Sequence, residues 1–373
     1  MAKIALVADI HHGVPGRLHD TIWSCRVVRE YCKAAGIDVV IVLGDLYHNR
    51  ESLAIDVLQA VVQFHQETAE KYDQKWITFP GNHDMFLRHS WHINSLVPMS
   101  KYLTVINDVK LLEIADKRFW VLPFIQHERS FMKVLRRIEE RHEEGDVLLT
   151  HIGVRGATLN TCFLIKDWSH VTFEKSKFKQ IYTGHFHSKQ QLGEGDEPTV
   201  WYPGSPIPFK FDEGDIGHGF YVYDTDTSTH KFVNIWKAGA KLLPLAPGET
   251  APPQYCTLLD ELLDTKTPED VRGNIVRVAL QRDYSDNEKS KIRDTLTQMG
   301  AATVRFWNMA QKMEKRQEQL VAAEQPAKHL FRAFVDADKK GLVGLDVDGI
   351  LMKAHEDVTQ EGDDLYSREE MDF

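Results

Sequence analysis

Residues 76–84 read WITFPGNHD. An apolar run, WITFP, has the make-up of a short buried strand and ends abruptly in Gly81-Asn82-His83-Asp84. Glycine permits an unusual backbone there, and Asn82 beside His83 offers a metal ligand next to a proton donor. The same pattern recurs upstream. KIALVADI (3–10) leads into Asp9-Ile10-His11, and DVVIVLGD (38–45) ends in Gly44-Asp45. Helical patterns over 18–36, stopping at Gly36, and over 53–72 separate the three strands. This βαβαβ alternation predicts a parallel sheet covered by helices.

Two further strand–loop units follow. DVLLTH (146–151) ends in His151, and KQIYTGHFH (179–187) ends in Gly184-His185-Phe186-His187. RFWVLPFI (118–125) and a charged helix at about 128–144 lie before them. TVWYPGSP (199–206), HGFYVYD (218–224) and HKFVNIW (230–236) read as antiparallel strands closing a second sheet. The Pro- and Gly-rich LLPLAPGETAPPQ (242–254) is the linker candidate. NIVRVALQ (274–281), a helix at about 285–299 and ATVRFWNM (302–309) read as a compact β-α-β unit. The chain is helical in pattern beyond 310. Its last stretch, EGDDLYSREEMDF, is acidic enough to predict disorder.

With 373 residues and 42% hydrophobic content, the chain is long enough for a large domain plus a smaller one. The start, MAKIALVADI, lacks the basic and apolar regions of a signal peptide. No stretch has the apolar length of a membrane span. A soluble, cytoplasmic protein with no membrane partner is expected. The four cysteines, Cys25, Cys32, Cys162 and Cys256, form no CxxC pair, which argues against a cysteine zinc site. A net charge of −10 argues against a protein that coats DNA non-specifically, although metal-binding carboxylates contribute to that count.

Binding sites form at the carboxyl ends of strands in open α/β sheets. Five segments far apart in sequence should therefore converge on one edge. Mixed carboxylate and imidazole ligands favour Mn, Fe or Zn over Mg or Ca, and a carboxylate can bridge two metals about 3.5–4 Å apart. In Asp9-Ile10-His11 and His185-Phe186-His187, an extended chain would put both outer side chains on one side.

The ordered set Asp-x-His, Gly-Asp, Gly-Asn-His-Asp, His and Gly-His-x-His resembles the calcineurin-like metallophosphoesterases, over about residues 1–235. The resemblance implies an α/β fold, a two-layer β-sandwich core flanked by helices. It implies two divalent metal ions, with manganese expected. Asp9, His11, Asp45 and His187 would hold one, and Asp45, Asn82, His151 and His185 the other, with Asp45 bridging. His83 would stand outside the metal shell and donate a proton to the leaving oxygen.

GDLYHNR (44–50) lacks the Asp-Arg-Gly that follows Gly-Asp in the serine/threonine phosphatases. It is similar to the DNA-repair nuclease branch of the SbcD type, in which His48 would be a second catalytic histidine. WYPGSP (201–206) and GHGF (217–220) fit that branch. The branch implies 3′-to-5′ exonuclease and endonuclease action on DNA, a homodimer, and an SbcC-type coiled-coil ATPase as partner.

On that pattern 1–240 is the nuclease domain, 241–256 a linker, 257–312 a small capping domain, 313–358 helices that dock on the ATPase, and 359–373 an acidic tail. The apolar stripe Leu330, Phe331, Phe334 and Val335 supports docking. The calcium-loop start at Asp336–Gly341 lacks two oxygen ligands, at Lys340 and Val347. His12, Arg17, Arg50, Arg88, His89 and His92 are candidates for DNA-phosphate contact. The competing readings are a phosphomonoesterase or small-molecule phosphodiesterase of the same superfamily, and a non-catalytic scaffold for the ATPase.

Overall fold

A computed structural model describes residues 2–87, 90–160, 163–164, 171–213, 217–243 and 252–308. The chain divides into two compact units, with the break between Pro252 and Pro253.

The first unit contains two six-stranded sheets. In sheet one, β1 (Lys3–Val7), β2 (Val39–Val42), β3 (Lys75–Thr78) and β4 (Thr104–Val105) run parallel. On the other side β13 (Gly219–Asp224) pairs antiparallel with β1, and β14 (Thr229–Asn234) with β13. Sheet two has the order β11-β12-β10-β7-β6-β5. Its strands are β5 (Lys110–Ile114), β6 (Lys117–Leu122), β7 (Val147–His151), β10 (Gln180–Gly184), β11 (Gln190–Leu192) and β12 (Thr199–Tyr202). A short pair, β8 (Thr158–Asn160) and β9 (Phe163–Leu164), stands apart from both.

Alternation along β1 explains the layering. Ile4 and Leu6 point into a core shared with Ile41 and Ile77 of sheet one and Phe119, Val121, Leu149 and Tyr182 of sheet two. Ala5 and Val7 point the other way, against Trp23, Val27 and Val28 of α1 (Leu18–Ala35) and Val61 and Phe64 of α2 (Ile55–Lys71). Trp120, Leu122 and Leu148 of sheet two meet Phe131, Val134, Leu135 and Ile138 of α3 (Glu128–Glu140) in the same way. Strands buried on both faces read as unbroken apolar runs. The fold is a two-layer β-sandwich flanked by helices, as expected.

The late strands differ from the sequence reading. β12 lies in sheet two parallel to β10, while β13 and β14 extend sheet one. A two-residue period fixes which face is buried, not the direction of pairing. The end of HKFVNIW is helical: Asn234 accepts the Lys237 N–H at 3.1 Å and caps α4 (Ile235–Leu242). Trp236 of α4 stacks on Trp23 at 5.2 Å.

The second unit holds a parallel three-stranded sheet, β15-β16-β17 (Tyr255–Leu259, Ile275–Leu280, Thr303–Asn308). A short helix, α5 (Pro268–Val271), follows β15, and α6 (Asp286–Gln298) connects β16 to β17. Ser285 and Glu288 form a capping box at the start of α6. β15 begins inside the stretch assigned as linker. The docking helices at 313–358, the tail at 359–373 and the calcium-like loop lie outside the described residues. Among the described residues no helix is long and apolar enough to cross a membrane.

Candidate metal centre

Most of the strands stop short of the residues they deliver. β1 ends at Val7, β2 at Val42 and β3 at Thr78, whereas His151 is the last residue of β7. Asp9 (φ 52°), His11 (φ 52°), Asp45 (φ 53°) and His185 (φ 101°) all have left-handed backbone. The side chains of Asp9, His11 and His187 do converge, but through sharp turns and not along an extended chain. Each such residue costs roughly 1–3 kcal/mol, so the surroundings must hold it.

They hold it by pairing. His11 N–H donates to Asp45 O at 3.0 Å and His12 N–H to Leu46 O at 2.8 Å, tying the β1 and β2 loops together. Asp9 accepts the His185 N–H at 2.9 Å, and Asp45 Oδ1 accepts the His83 N–H at 2.8 Å. Gly44 and Gly81 are required by this packing. A Cβ on Gly44 would sit 2.5 Å from His151 Nδ1, and one on Gly81 would overlap the Asp45 carboxylate.

The donor atoms face one another. Ligand atoms of Asp9, His11 and His187 lie within 4.8 Å of each other, as do those of Asp9, Asp45 and His151. Asp45 Oδ2 is 3.5 Å from His11 Nε2 and 3.3 Å from His151 Nε2. Asn82 Oδ1 lies 3.1 Å from His151 Nε2 and 2.8 Å from His185 Nδ1. His187 Nε2 and His11 Nε2 are 3.1 Å apart. His48 and His83 stand beside this group with rings stacked at 5.5 Å. Nδ1–H of His83 donates to His48 O at 2.6 Å, which leaves Nε2 as its reactive nitrogen. His11, His48 and His83 also have ligand atoms within 4.8 Å of one another. Phe124, stacked on His185 at 6.2 Å, and Phe209, edge-on to His11 at 5.6 Å, form apolar walls.

These donors suit cations. Nδ1–H of His151 donates to Leu43 O at 2.8 Å, so Nε2 is the nitrogen that faces the oxygens of Asp45 and Asn82, and that position favours a positive charge, whether a proton or a cation. Lone pairs gathered around one point need a positive charge between them. Burial alone would lower the His151 pKa, yet the Asp45 and Asp9 carboxylates push it up to about 9. Burial likewise opposes ionised Asp45, but His151, through its charge and its hydrogen bond, holds the carboxyl well below the usual range. Burial raises Asp9 despite His151 and His187, and burial keeps His11 neutral, with its lone pair available.

Two residues here had no role in the sequence reading. Asp84, fully buried, accepts the N–H groups of Leu46 (3.3 Å), Tyr47 (3.0 Å) and Gly81 (3.0 Å) and so joins two of the site loops. Burial and Asp45 push its carboxyl up to about 7, against the N–H groups of Tyr47 and Gly81. Its place at the end of Gly-Asn-His-Asp was the available signal. Glu213 contacts His187, and nothing in the local sequence marks it. Two of the proposed DNA contacts are wrong. His12 is buried against Thr21, and Arg17 is ion-paired with Asp20 at 3.0 Å and donates to Pro208 O. Arg50 is partly exposed and His92 exposed, whereas Arg88 and His89 lie outside the described residues.

Comparison with known proteins fits this geometry. The profile of the calcineurin-like phosphoesterases matches residues 2–189, half of the chain. The chain belongs to the calcineurin-like phosphoesterase family. It is a phosphoester hydrolase of a family that uses divalent metals. Exonuclease subunit 1 of Enterobacteria phage T4 is 22% identical over 251 residues, 62% of this chain and 67% of that protein. The protein named "Putative phosphoesterase 078R" of Invertebrate iridescent virus 3 is 23% identical over 181 residues, 47% of this chain and 49% of that one. The chain thus spans about half the length of the iridescent-virus protein. Among solved structures, a dimetal phosphatase from Danio rerio aligns with TM-score 0.36 and 12% identity, covering 59% of this chain and 91% of that one.

Proposed function

We propose that this phosphoesterase is a DNA nuclease that hydrolyses phosphodiester bonds at DNA ends, with manganese as its metal. The similarity to a phage exonuclease subunit carries this reading, because it runs over 251 residues and so beyond the 2–189 stretch shared with the family at large. Asp9, His11, Asp45 and His187 would hold one ion, and Asp45, Asn82, His151 and His185 the other. When bound, such a pair neutralises the phosphate and activates a water for in-line attack.

The chain's own residues supply the rest. Hydrolysis forms a bond from water oxygen to phosphorus and breaks the bond to the departing sugar oxygen. That alkoxide is a poor leaving group and needs a proton. His83 in its imidazolium form gives it from Nε2, while Nδ1–H stays on His48 O and supports the charge. His48, stacked on His83, orients the phosphate. The first 240 residues would be the nuclease domain and 257–312 a cap. The segment 313–358 would dock on an SbcC-type coiled-coil ATPase, in a homodimeric, cytoplasmic complex acting in DNA repair or recombination.

The test is nuclease activity on linear duplex DNA with manganese, beside a small aryl phosphodiester, with and without a co-expressed partner ATPase. Metal-dependent shortening of the duplex is expected. Rapid aryl-ester hydrolysis with intact DNA under every condition would reassign the site to small-molecule substrates. Metal binding with no hydrolysis of either substrate would make the chain a scaffold.

A further inference from the structure

His187 has its two ring nitrogens in different surroundings. Nε2 lies 3.1 Å from His11 Nε2, inside the cluster of donors. Nδ1 lies 3.0 Å from Glu213 Oε1, contributed by a residue 26 positions further along the chain. Glu213 is buried, with 5% of its surface exposed. Its other oxygen accepts the Phe209 N–H at 2.8 Å. Both carboxylate oxygens are therefore engaged, and Glu213 is placed to hold a ligand and not to be one.

The loop that carries Glu213 is itself tied down. His218 is buried, with Nε2 2.7 Å from Glu213 O and Nδ1 2.9 Å from Ser205 O. Ser205 N–H donates back to His187 O at 3.0 Å. His187, Glu213, His218 and Ser205 thus form a closed ring of contacts. Glu213, His218 and Ser205 all lie beyond residue 189, where the family profile stops.

We propose that Glu213 is a positioning residue of the metal centre: it takes the Nδ1–H of His187, fixes Nε2 as the ligand nitrogen and sets the affinity of one of the two metals. Neutral imidazole carries a single N–H, and a carboxylate at Nδ1 claims it, so the lone pair must sit on Nε2. The negative charge also makes that nitrogen a stronger donor. Without it, His187 is free to adopt the other tautomer, which turns an N–H toward His11 and leaves the metal position one ligand short. The inference rests on the two-metal reading above.

The experiment is a titration of the full chain with manganese, without substrate, following free Mn by electron paramagnetic resonance. The wild type should bind two ions. Glu213→Gln keeps the shape of the side chain but loses the charge. It should bind one ion with unchanged affinity and the other roughly 10–100-fold more weakly, with only a modest fall in metal-free melting temperature, because its single amide oxygen can serve either His187 Nδ1–H or the Phe209 N–H but not both. His187→Ala serves as the control. If it binds two ions like the wild type, the metal reading itself fails. If His187→Ala loses one ion and Glu213→Gln loses none, only the role of Glu213 fails. Equal weakening of both sites together with a large drop in metal-free melting temperature would mean that Glu213 merely braces the loop. A second measurement needs no variant: nitrogen-15 spectra of histidine-labelled wild type with zinc bound should report His187 with its proton on Nδ1 and none on Nε2. An Nε2–H tautomer would overturn the proposal.

Discussion

The two sheets feed the same site but hold their candidate ligands in different ways. In sheet one the loops after β1, β2 and β3 are bound through backbone amides: Asp84 accepts three N–H groups, and Asp45 accepts that of His83. In sheet two the rings of His151 and His187 are themselves held, by Leu43 O and by Glu213, while His185 is tied through its amide to Asp9. The first arrangement fixes where the chain goes. The second fixes which nitrogen faces the candidate metal position. Damage to the first should therefore show in folding, and damage to the second in metal binding and tautomer.

Asp45 stands where the two halves meet, so its loss should have the largest effect. In Asp45→Asn one oxygen can still accept the His83 N–H, but the negative charge between His11 and His151 is gone. Phosphodiesterase activity should drop to background, and metal content by elemental analysis should fall from about two per chain. The protein should stay folded. Wild-type turnover and wild-type metal content in this variant would rule out the shared-carboxylate arrangement. His83→Gln comes next. It should retain both metals and lose about 10²–10⁴-fold in rate on DNA, the usual range for a general acid. An aryl phosphodiester, whose leaving group needs little protonation, should lose much less. An equal loss on both substrates would assign His83 to phosphate positioning.

How much of this was legible in the sequence follows from the same contrast. The strands could be read because residues such as Ile4 and Val7 are buried on opposite faces, which leaves unbroken apolar runs. The candidate ligands stood out because each follows such a run. The left-handed backbone at Asp9, His11 and Asp45 could not: residue type permits that conformation but only the paired loops impose it. The direction of β12 was hidden because burial patterns carry no polarity. Glu213 was hidden because its partner is 26 residues away. Arg17 looked like a surface cation, but it is buried and ion-paired with Asp20, three residues on.

Asp84→Ala sharpens the folding side of the comparison. It strands the N–H groups of Leu46, Tyr47 and Gly81 in a buried place, at about 1–3 kcal/mol per donor. Urea denaturation of the metal-free protein should report a loss of roughly 3 kcal/mol or more, and Asp84→Asn, with one acceptor oxygen kept, a smaller loss. Glu213→Gln measured side by side leaves one donor, at His187 or Phe209, without an acceptor and should lose less than Asp84→Ala. If the two variants were equally destabilised, the distinction between amide-held and ring-held ligands would collapse.

The smallest effect lies behind sheet one, on α2. His65 is 1% exposed, and among the described residues neither ring nitrogen has a hydrogen-bond partner. The rings of Phe64 and Trp76 lie 5.0 and 5.3 Å away. Burial pushes its pKa down to about 3 from the ordinary 6.5. Between those two values the unfolded chain takes up a proton that the folded chain refuses, so protonation favours unfolding. The stability at stake is intact above pH 6.5 and drains away as the pH falls toward 3, by up to about 1.4 kcal/mol for each pH unit. His65→Leu removes this group and puts an apolar side chain in an apolar place. At pH 7.5 the variant should match or slightly exceed the wild type. At pH 5.5 its advantage, read from urea midpoints of the metal-free proteins, should have grown by about 1 kcal/mol. His12 carries the same burial-driven shift to about 3 and stays in both proteins, so some acid sensitivity should persist. An advantage independent of pH would mean that His65 is solvated or paired in solution, and that the back of sheet one is wetter than its packing implies.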